Sequence, residues 1–192
     1  FSTGSATGND DNIISYNTIT SAGTNLPTNA IYSAGTSVSI DNSGNSIANN
    51  DIQDYFNAAA SSKGIFIASN SSAWTITNNK FFQSAARTAT ASSTHYAINI
   101  VTALGVDYTV NNNNIGFANS ASTGITYYDG AFANLYRAIE MTVGISPASN
   151  VQGNTVSSIN LSTTSGLATA PGIFTAISIP GGSVNIGTTA GN

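Results

Sequence analysis

The chain has 192 residues, of which 41% are hydrophobic and only 6% are charged, and its formal net charge is −4. Ordinary globular proteins are about a quarter charged, so this surface must be polar but largely uncharged. The four basic residues are scattered along the chain, which excludes the phosphate neutralisation that nucleic-acid binding requires. No window approaches the roughly 20 consecutive apolar residues of a membrane span, so we expect no direct membrane insertion. Cysteine is absent, which excludes disulfide bonds and thiolate metal sites.

An Asn flanked by apolar residues recurs along the chain. Successive copies are separated by 33, 29, 34 and 41 residues, and the Asn residues are Asn17, Asn50, Asn79, Asn113 and Asn154. The residue three positions before each of them is Ile or Val, and the residue two positions after is Ile, Val or Phe. A repeated phrase of this kind indicates a repeated structural unit.

A second phrase keeps the same register as the first. It consists of a small residue followed by alternating apolar residues, and it begins at Gly64, Ala97, Ala138 and Ala176. The Ile that follows the small residue precedes the next recurring Asn by 14 or 15 residues in the first three copies. Fifteen residues after Ile177 the chain reaches Asn192, which we therefore assign to the same series.

The two phrases predict an all-β repeat architecture. Alternation of apolar and polar residues is typical of half-buried strands, and Gly, Ser, Thr and Asn recur too often for helices. A leucine-rich repeat would carry regularly spaced Leu, and a propeller blade would carry Trp-Asp or Gly-His signatures, neither of which is present. We predict a single-stranded right-handed parallel β-helix, a solenoid of about six rungs, that occupies residues 1–192 as one domain.

The recurring Asn residues are predicted to form a ladder. Each coil must turn sharply between strands, and Asn tolerates the left-handed backbone conformation that such a turn requires. Stacked coils would place Asn above Asn, so that each side-chain amide donates to the next carbonyl oxygen. The alternative interpretation, simple polar loops, is disfavoured by the apolar residues on both sides. The predicted ladder is Asn17, Asn50, Asn79, Asn113, Asn154 and Asn192.

The longest departure from the repeat, residues 119–136, carries the candidate contact site. Loops that leave a regular coil often carry function, and sugar rings stack on aromatic faces while their hydroxyls bond polar groups. The alternative is that these aromatic rings fold back and cover the coil. The candidate residues for contact with a glycan or a partner are Tyr127, Tyr128, Asp129, Phe132 and Tyr136.

The sequence offers no convincing catalytic, cofactor or metal site. Polysaccharide lyases and glycoside hydrolases need converging carboxylates. Asp51 and Asp54 should share a rung, but the next rung offers Lys80 instead of an acid, so an Asp51–Lys80 ion pair is expected. His95 lacks a second His or a Cys to share a metal, and we interpret it as a surface or turn residue.

The phrases resemble those of right-handed parallel β-helix proteins. The closing residues 184–192, VNIGTTAGN, resemble a motif repeated through very large secreted surface proteins of Bacteroidota. Those are adhesin-like or filament-like chains exported by the type IX route, some of them linked to gliding motility. The resemblance implies tandem blocks, display on the cell surface and no enzymatic role. The echo of residues 187–192 in residues 4–9 likewise favours a segment of a larger tandem-repeat chain.

The sequence therefore predicts a non-enzymatic structural and adhesive segment of an exported bacterial surface protein or filament. Such a segment would be extracellular, would bind no cofactor, and would contact neighbouring repeats of its parent chain, surface glycans or other cell-surface proteins. The alternative is a carbohydrate-active β-helix domain: a polysaccharide lyase, a hydrolase or a phage-tailspike-like depolymerase. A third option, an ice- or mineral-binding face, would need a regular outward column of Thr, and the Thr residues are scattered.

Overall fold

The computed structural model describes residues 7–166, 169 and 171–192 of the protein. The sequence echo at residues 4–9 therefore lies partly outside the described residues. Throughout this part of the chain the secondary structure is β-strand, turn and bend, without a helix. Accordingly, no described helix has the length and apolar character needed to cross a membrane.

Short strands follow one another along the whole described chain. In chain order they are β1 (Ile13–Ser15), β2 (Thr18–Ile19), β3 (Asn29–Ala34), β4 (Asn42–Ser43), β5 (Ser46–Ala48), β6 (Asp51–Gln53), β7 (Ser62–Ser69), β8 (Ser71–Ser72), β9 (Thr75–Thr77), β10 (Lys80–Phe82), β11 (Arg87–Thr88), β12 (Thr94–Val101), β13 (Thr109–Asn111), β14 (Asn114–Gly116), β15 (Thr126–Asp129), β16 (Leu135–Thr142), β17 (Ser149–Gln152), β18 (Thr155–Ser157), β19 (Ile159–Leu161), β20 (Phe174–Gly181) and β21 (Val184–Ile186).

These strands form parallel sheets in which neighbours come from successive passages of the chain. Sheet I is β1-β5-β9-β13-β17-β21, sheet II is β2-β6-β10-β14-β18, and sheet III is β3-β7-β12-β16-β20. The smaller sheets are sheet IV, β11-β15-β19, and sheet V, β4-β8. The chain runs through sheets I, II and III in turn and then returns to sheet I, so each passage is one coil stacked on the previous coil. The molecule is a solenoid of parallel strands, as the repeat predicts.

The strand register aligns the apolar residues of successive coils into columns. In sheet I, Ile14 lies beside Ile47, and that column continues through Ile76, Val110 and Val151. In sheet III, a second column consists of Ile31, Ile65, Ile98, Ile139 and Ile177. Most of these side chains are completely buried in one continuous core. The core supplies the hydrophobic stabilisation that individual strands of two or three residues lack.

The left-handed turn residue differs from the one that the sequence suggests. The residue before each recurring Asn from Asn17 to Asn154 has a positive φ, for example 58° at Tyr16, 56° at Asn78 and 62° at Gly153. The prediction that the recurring Asn itself takes the left-handed conformation is therefore wrong. The turn position accepts Tyr, Asn or Gly because any side chain there points outward. The Asn that follows is required for the hydrogen bonds that its side chain makes.

Candidate functional site

The side chain of Asn79 shows how the recurring Asn residues link the coils. Its Oδ1 accepts hydrogen bonds from the Asn50 backbone N–H and from Asn50 Nδ2, both at 3.0 Å. Its Nδ2 donates to the Ile47 carbonyl at 2.8 Å on one side and to Asn113 Oδ1 at 3.1 Å on the other. Every hydrogen-bonding position of this buried amide is thus occupied, which removes the cost of burying it.

The same pattern continues through the other members of the series. In each member from Asn17 to Asn154, Nδ2 donates to Oδ1 of the ladder Asn in the next coil. The distance is 3.2 Å for Asn17 and 3.0 Å for Asn50, Asn113 and Asn154, the last of which donates to Asn192. The backbone N–H of each donor residue reaches the same oxygen at 3.0 Å. The structure therefore contains an uninterrupted Asn ladder from Asn17 to Asn192, which ties each coil to the next.

A second, shorter Asn pair was missed by the sequence reasoning. Asn12 donates from its backbone N–H and from Nδ2 to Asn45 Oδ1, both at 2.9 Å. In the next coils the equivalent positions hold the buried Trp74 and Tyr108, and Trp74 Nε1 donates to the Asn42 carbonyl at 2.7 Å. The signal was available, because Asn12 and Asn45 are separated by 33 residues, like Asn17 and Asn50.

The structure divides the candidate contact residues between the surface and the interior. Tyr127 is 40% exposed and Phe132 is 36% exposed, and the Asp129 side chain is partly exposed. Tyr128 and Tyr136 are only 2% exposed, so they are not available to a glycan or a partner. They are buried because Tyr128 alternates with Tyr127 and Asp129 along β15, and Tyr136 points inward from β16.

The two buried tyrosines belong to a series of ring contacts that runs from the interior of the solenoid to the exposed Phe174. Ring centroids lie 5.1 Å apart for Phe56 and His95, 5.2 Å for His95 and Tyr128, 5.3 Å for Tyr128 and Tyr136, and 5.6 Å for Tyr136 and Phe174. Such spacing is typical of favourable aromatic contacts. Burial raises the pKa of Tyr128 to about 12, which keeps its hydroxyl protonated.

The assignment of His95 to the surface or to a turn is wrong. The ring is fully buried, with Nδ1 3.2 Å from Ser62 Oγ and Nε2 3.1 Å from Ser93 Oγ. Burial away from any compensating negative charge lowers the pKa of His95 to about 4. At neutral pH the imidazole is therefore an uncharged member of the core.

Acidic residues that the sequence placed on one rung are held by basic partners. Asp51 Oδ1 lies 4.0 Å from Lys80 Nζ, at the outer limit of an ion pair. Asp54 pairs with Arg87 and also accepts hydrogen bonds from the Ser84 backbone N–H at 2.9 Å and from Ser84 Oγ at 2.7 Å. Among the described residues, no three His, Asp or Glu side chains are grouped closely enough to hold a metal ion.

The exposed part of the candidate site is a shallow surface of mixed chemistry. In sheet IV, Tyr127 lies beside Asn160 of the next coil, and Asp129 lies beside Thr88 of the previous coil. Phe132 follows in the turn after β15, where its carbonyl accepts the Thr164 backbone N–H at 2.9 Å. Two aromatic rings, an amide and a carboxylate are thus displayed together, with the Thr88 hydroxyl beside the carboxylate. We name the residues Tyr127, Asp129, Phe132 and Asn160 the contact surface.

The chain was compared with protein-family models, with curated proteins and with solved structures, and none of them matches it.

Proposed function

We propose that the protein is a single-stranded right-handed parallel β-helix of about six rungs. A general rule supports the hand of the coil, and one observation supports the rung count. Parallel strands joined by a crossover connection are almost always right-handed, because the twist of the strands favours that hand. Sheet I contains one strand from each of six successive passages of the chain.

We further propose that this solenoid is a structural and adhesive segment of an exported bacterial surface protein or filament. The observation that carries the proposal is the uninterrupted Asn ladder, in which each coil completes the hydrogen bonds of its neighbours. A turn whose hydrogen bonds are largely completed by adjacent coils makes bending or local opening costly, so the solenoid is a stiff spacer. In the parent protein, neighbouring repeats of the same chain are its first partners.

The contact surface supplies the adhesive part of the proposal, with surface glycans or other cell-surface proteins as targets. A sugar ring stacks on the exposed Tyr127 ring, while its hydroxyls bond to Asn160 and Asp129. Binding by one aromatic ring and a few polar groups is weak for one segment, and repetition along a filament raises the avidity.

Exposure on the cell surface is tested with antibodies raised against the purified chain. They should label intact cells of the producing organism, and protease treatment of those cells should remove the label. Labelling that requires lysis of the cells would contradict an exported surface role.

Incubation of the chain with a panel of polysaccharides should produce no new reducing ends or unsaturated products, and sustained product formation would overturn the non-enzymatic assignment.

Adhesion through the contact surface is tested on a glycan array. The wild-type chain should bind a subset of glycans, and Tyr127→Ala should weaken the binding by about fivefold, because loss of an aromatic contact costs on the order of 1 kcal/mol. Tyr16→Asn is the matched control. Tyr16 is 81% exposed, lies in the turn between β1 and β2, and has a positive φ that Asn accepts. An equal loss of glycan binding in both variants would show that the contact surface is not the binding site.

A further inference from the structure

Unequal connections between sheet III and sheet I create a cavity on the side of the solenoid. The connections that follow β3 and β12 span residues 35–45 and 102–108, whereas the connection that follows β7 in the intervening coil spans only residues 70–74. The short connection lies between two longer ones, so it forms the floor of a notch and they form its walls. The notch is open to solvent and has a volume of about 340 Å³.

Both walls are tight hydrogen-bonded turns. In the first wall, the Ser37 backbone N–H donates to the Ile40 carbonyl at 3.4 Å and the Ile40 N–H donates back at 3.2 Å. In the second wall, the Gly105 N–H donates to the Thr102 carbonyl at 2.7 Å. A Cβ on Gly105 would lie 2.0 Å from the Ser71 carbonyl of the floor, so this wall rests directly on β8. The notch is therefore preformed.

The rim of the notch is apolar and exposed. Val38 at the tip of the first wall is 61% exposed, and Leu104 at the tip of the second wall is 73% exposed. Val101, at the end of β12, is 44% exposed and also lines the notch. Large apolar side chains that converge on one cavity are typical of a binding site rather than of scattered surface residues.

A single carboxylate lies among these apolar residues. Asp41 lines the notch, and one of its oxygens accepts a hydrogen bond from Ser72 Oγ, so its side chain is held in place. The cationic side chains of the chain are engaged elsewhere: Lys80 with Asp51, Arg87 with Asp54, Arg137 with Glu140, and Lys63 over the Phe66 ring. Asp41 forms no ion pair with any described residue, and the lining of the notch contains no basic residue.

We propose that the notch binds an alkylammonium group on a short aliphatic stem. The ammonium bonds to the Asp41 carboxylate, and the stem packs against Val38, Val101 and Leu104. This combination favours an amphipathic cation over a sugar, which offers no apolar stem, and over an anion, which Asp41 repels. The same chemistry is presented by a free alkylamine and by the lysine side chain of a partner protein.

The probe is hexylammonium, compared with 1-hexanol and hexanoate in titrations of the ¹⁵N-labelled chain followed by NMR. Hexylammonium should shift the backbone amides of residues 35–41, 69–72 and 101–106 in a saturable way, and the neutral and anionic probes should bind at least about tenfold more weakly, because hydrogen bonds to a charged group contribute about 1.5–3 kcal/mol. Equal binding of hexanol, shifts spread over the whole chain, or no saturable shift with hexylammonium would each overturn the proposal.

Substitutions separate the charge of the notch from its apolar rim. Asp41→Asn should weaken hexylammonium binding about tenfold or more, while Asp51→Asn, which removes the same charge from the outer face of sheet II, should not change it. Leu104→Ser alters an exposed side chain, so it should lower the affinity of hexylammonium without affecting the fold. Unchanged affinity in Asp41→Asn would refute the site.

A further titration distinguishes the two sources of the ammonium group. Nα-acetyl-lysine methylamide carries the same ammonium on a lysine stem with a blocked backbone. If it binds as tightly as hexylammonium, the notch accepts a lysine side chain of a partner protein. If it binds much more weakly while hexylammonium still binds, the notch accepts free amines.

Discussion

His95 is enclosed by aromatic rings and by two serine hydroxyls, and its charge state is coupled to folding. Its pKa is about 4 in the folded chain, against an ordinary value of about 6.5. Between these values the unfolded chain binds a proton that the folded chain does not bind, so acidification favours unfolding. The contribution of the neutral imidazole is complete above pH 6.5 and is lost as the pH falls toward 4.

We therefore expect the protonation of His95 to lower the free energy of unfolding by about 3 kcal/mol between pH 7 and pH 4. Each unit of difference between the folded and unfolded pKa contributes about 1.4 kcal/mol. Urea denaturation across this range measures the loss. Carboxylates also titrate near pH 4, so the informative quantity is the difference between the wild-type chain and His95→Gln, whose side chain does not titrate. Parallel pH profiles for the two chains would show that His95 is not the responsible group.

Single residues were predictable from the sequence only where they repeat. The ladder positions could be read because five copies share flanking apolar residues, which fixes the side that each Asn faces. The chain has one His, so no repeated position indicated where His95 points. The left-handed turn position is hard to locate in the pair Asn78 and Asn79, because both residues are Asn and both accept that conformation. The Gly at the equivalent position 153 was the sequence signal that identified it.

At the scale of the strand, the small residues of sheet III mark a change in the alternation of side chains. Ile98 and Ile100 point inward, so strict alternation would place Tyr96 inside and His95 outside. The structure shows the opposite, because His95 is buried and Tyr96 is only partly buried. Ala97, which lies between the buried His95 and the buried Ile98, is also completely buried. The small residue is therefore required where the strand brings its backbone toward the core.

Gly64 occupies the same column and leaves no room for a Cβ. A Cβ at Gly64 would lie 2.7 Å from the Ala97 carbonyl oxygen and 2.8 Å from Cδ1 of Phe81. Gly64→Ala should therefore lower the free energy of unfolding by about 1–3 kcal/mol through overpacking. Chemical denaturation measures this cost. Gly181→Ala is the matched control in β20, where the nearest atom to a new Cβ is 3.5 Å away, and it should be almost neutral.

A double-mutant cycle identifies the cause of that cost. Phe81→Leu removes part of the ring that crowds Gly64, so Gly64→Ala should cost less in that background, with a coupling of about 0.5 kcal/mol or more. Additive effects of the two substitutions would mean that the Ala97 backbone alone opposes the new Cβ.

Strand existence was more predictable than the connections between strands. The alternating phrases located the central strands of sheets I, II and III, because their apolar residues recur in register. Sheets IV and V were not anticipated, since their strands are short and carry no shared pattern. Even so, the 29-residue interval between Asn50 and Asn79, the shortest in the series, already indicated that one coil has a short connection. That connection is the floor of the notch.

Over the whole molecule, the ladder makes the cost of a substitution depend on its position along the axis. Asn79→Leu removes the acceptor of the Asn50 backbone N–H and one acceptor of Asn50 Nδ2. It also removes the Nδ2 donor from the Ile47 carbonyl and from Asn113 Oδ1, which keeps only the Asn79 backbone N–H, all in a buried environment. Asn17 is exposed, and its side chain donates only to the Ser15 carbonyl and to Asn50 Oδ1 among its described contacts.

The same substitution should therefore have different effects at the two positions. Asn79→Leu should lower the free energy of unfolding by about 3–5 kcal/mol, because several buried polar groups lose their partners. Asn17→Leu should cost about 1 kcal/mol or less, since water replaces its partners. Equilibrium denaturation of both variants measures the difference. Similar costs would show that the ladder does not act as a continuous element.

The ladder also gives the solenoid an electrical direction. The Oδ1 atom of each ladder residue from Asn50 to Asn192 accepts hydrogen bonds from the preceding coil, so these carbonyl groups all point toward the N-terminal side. Aligned amide dipoles add, as they do along an α-helix, where each peptide group contributes about 3.5 D. The row of side chains thus forms a macrodipole in a molecule that has no helix among its described residues. A coil that extends the row must match its polarity, so stacking is allowed in one orientation and opposed in the other.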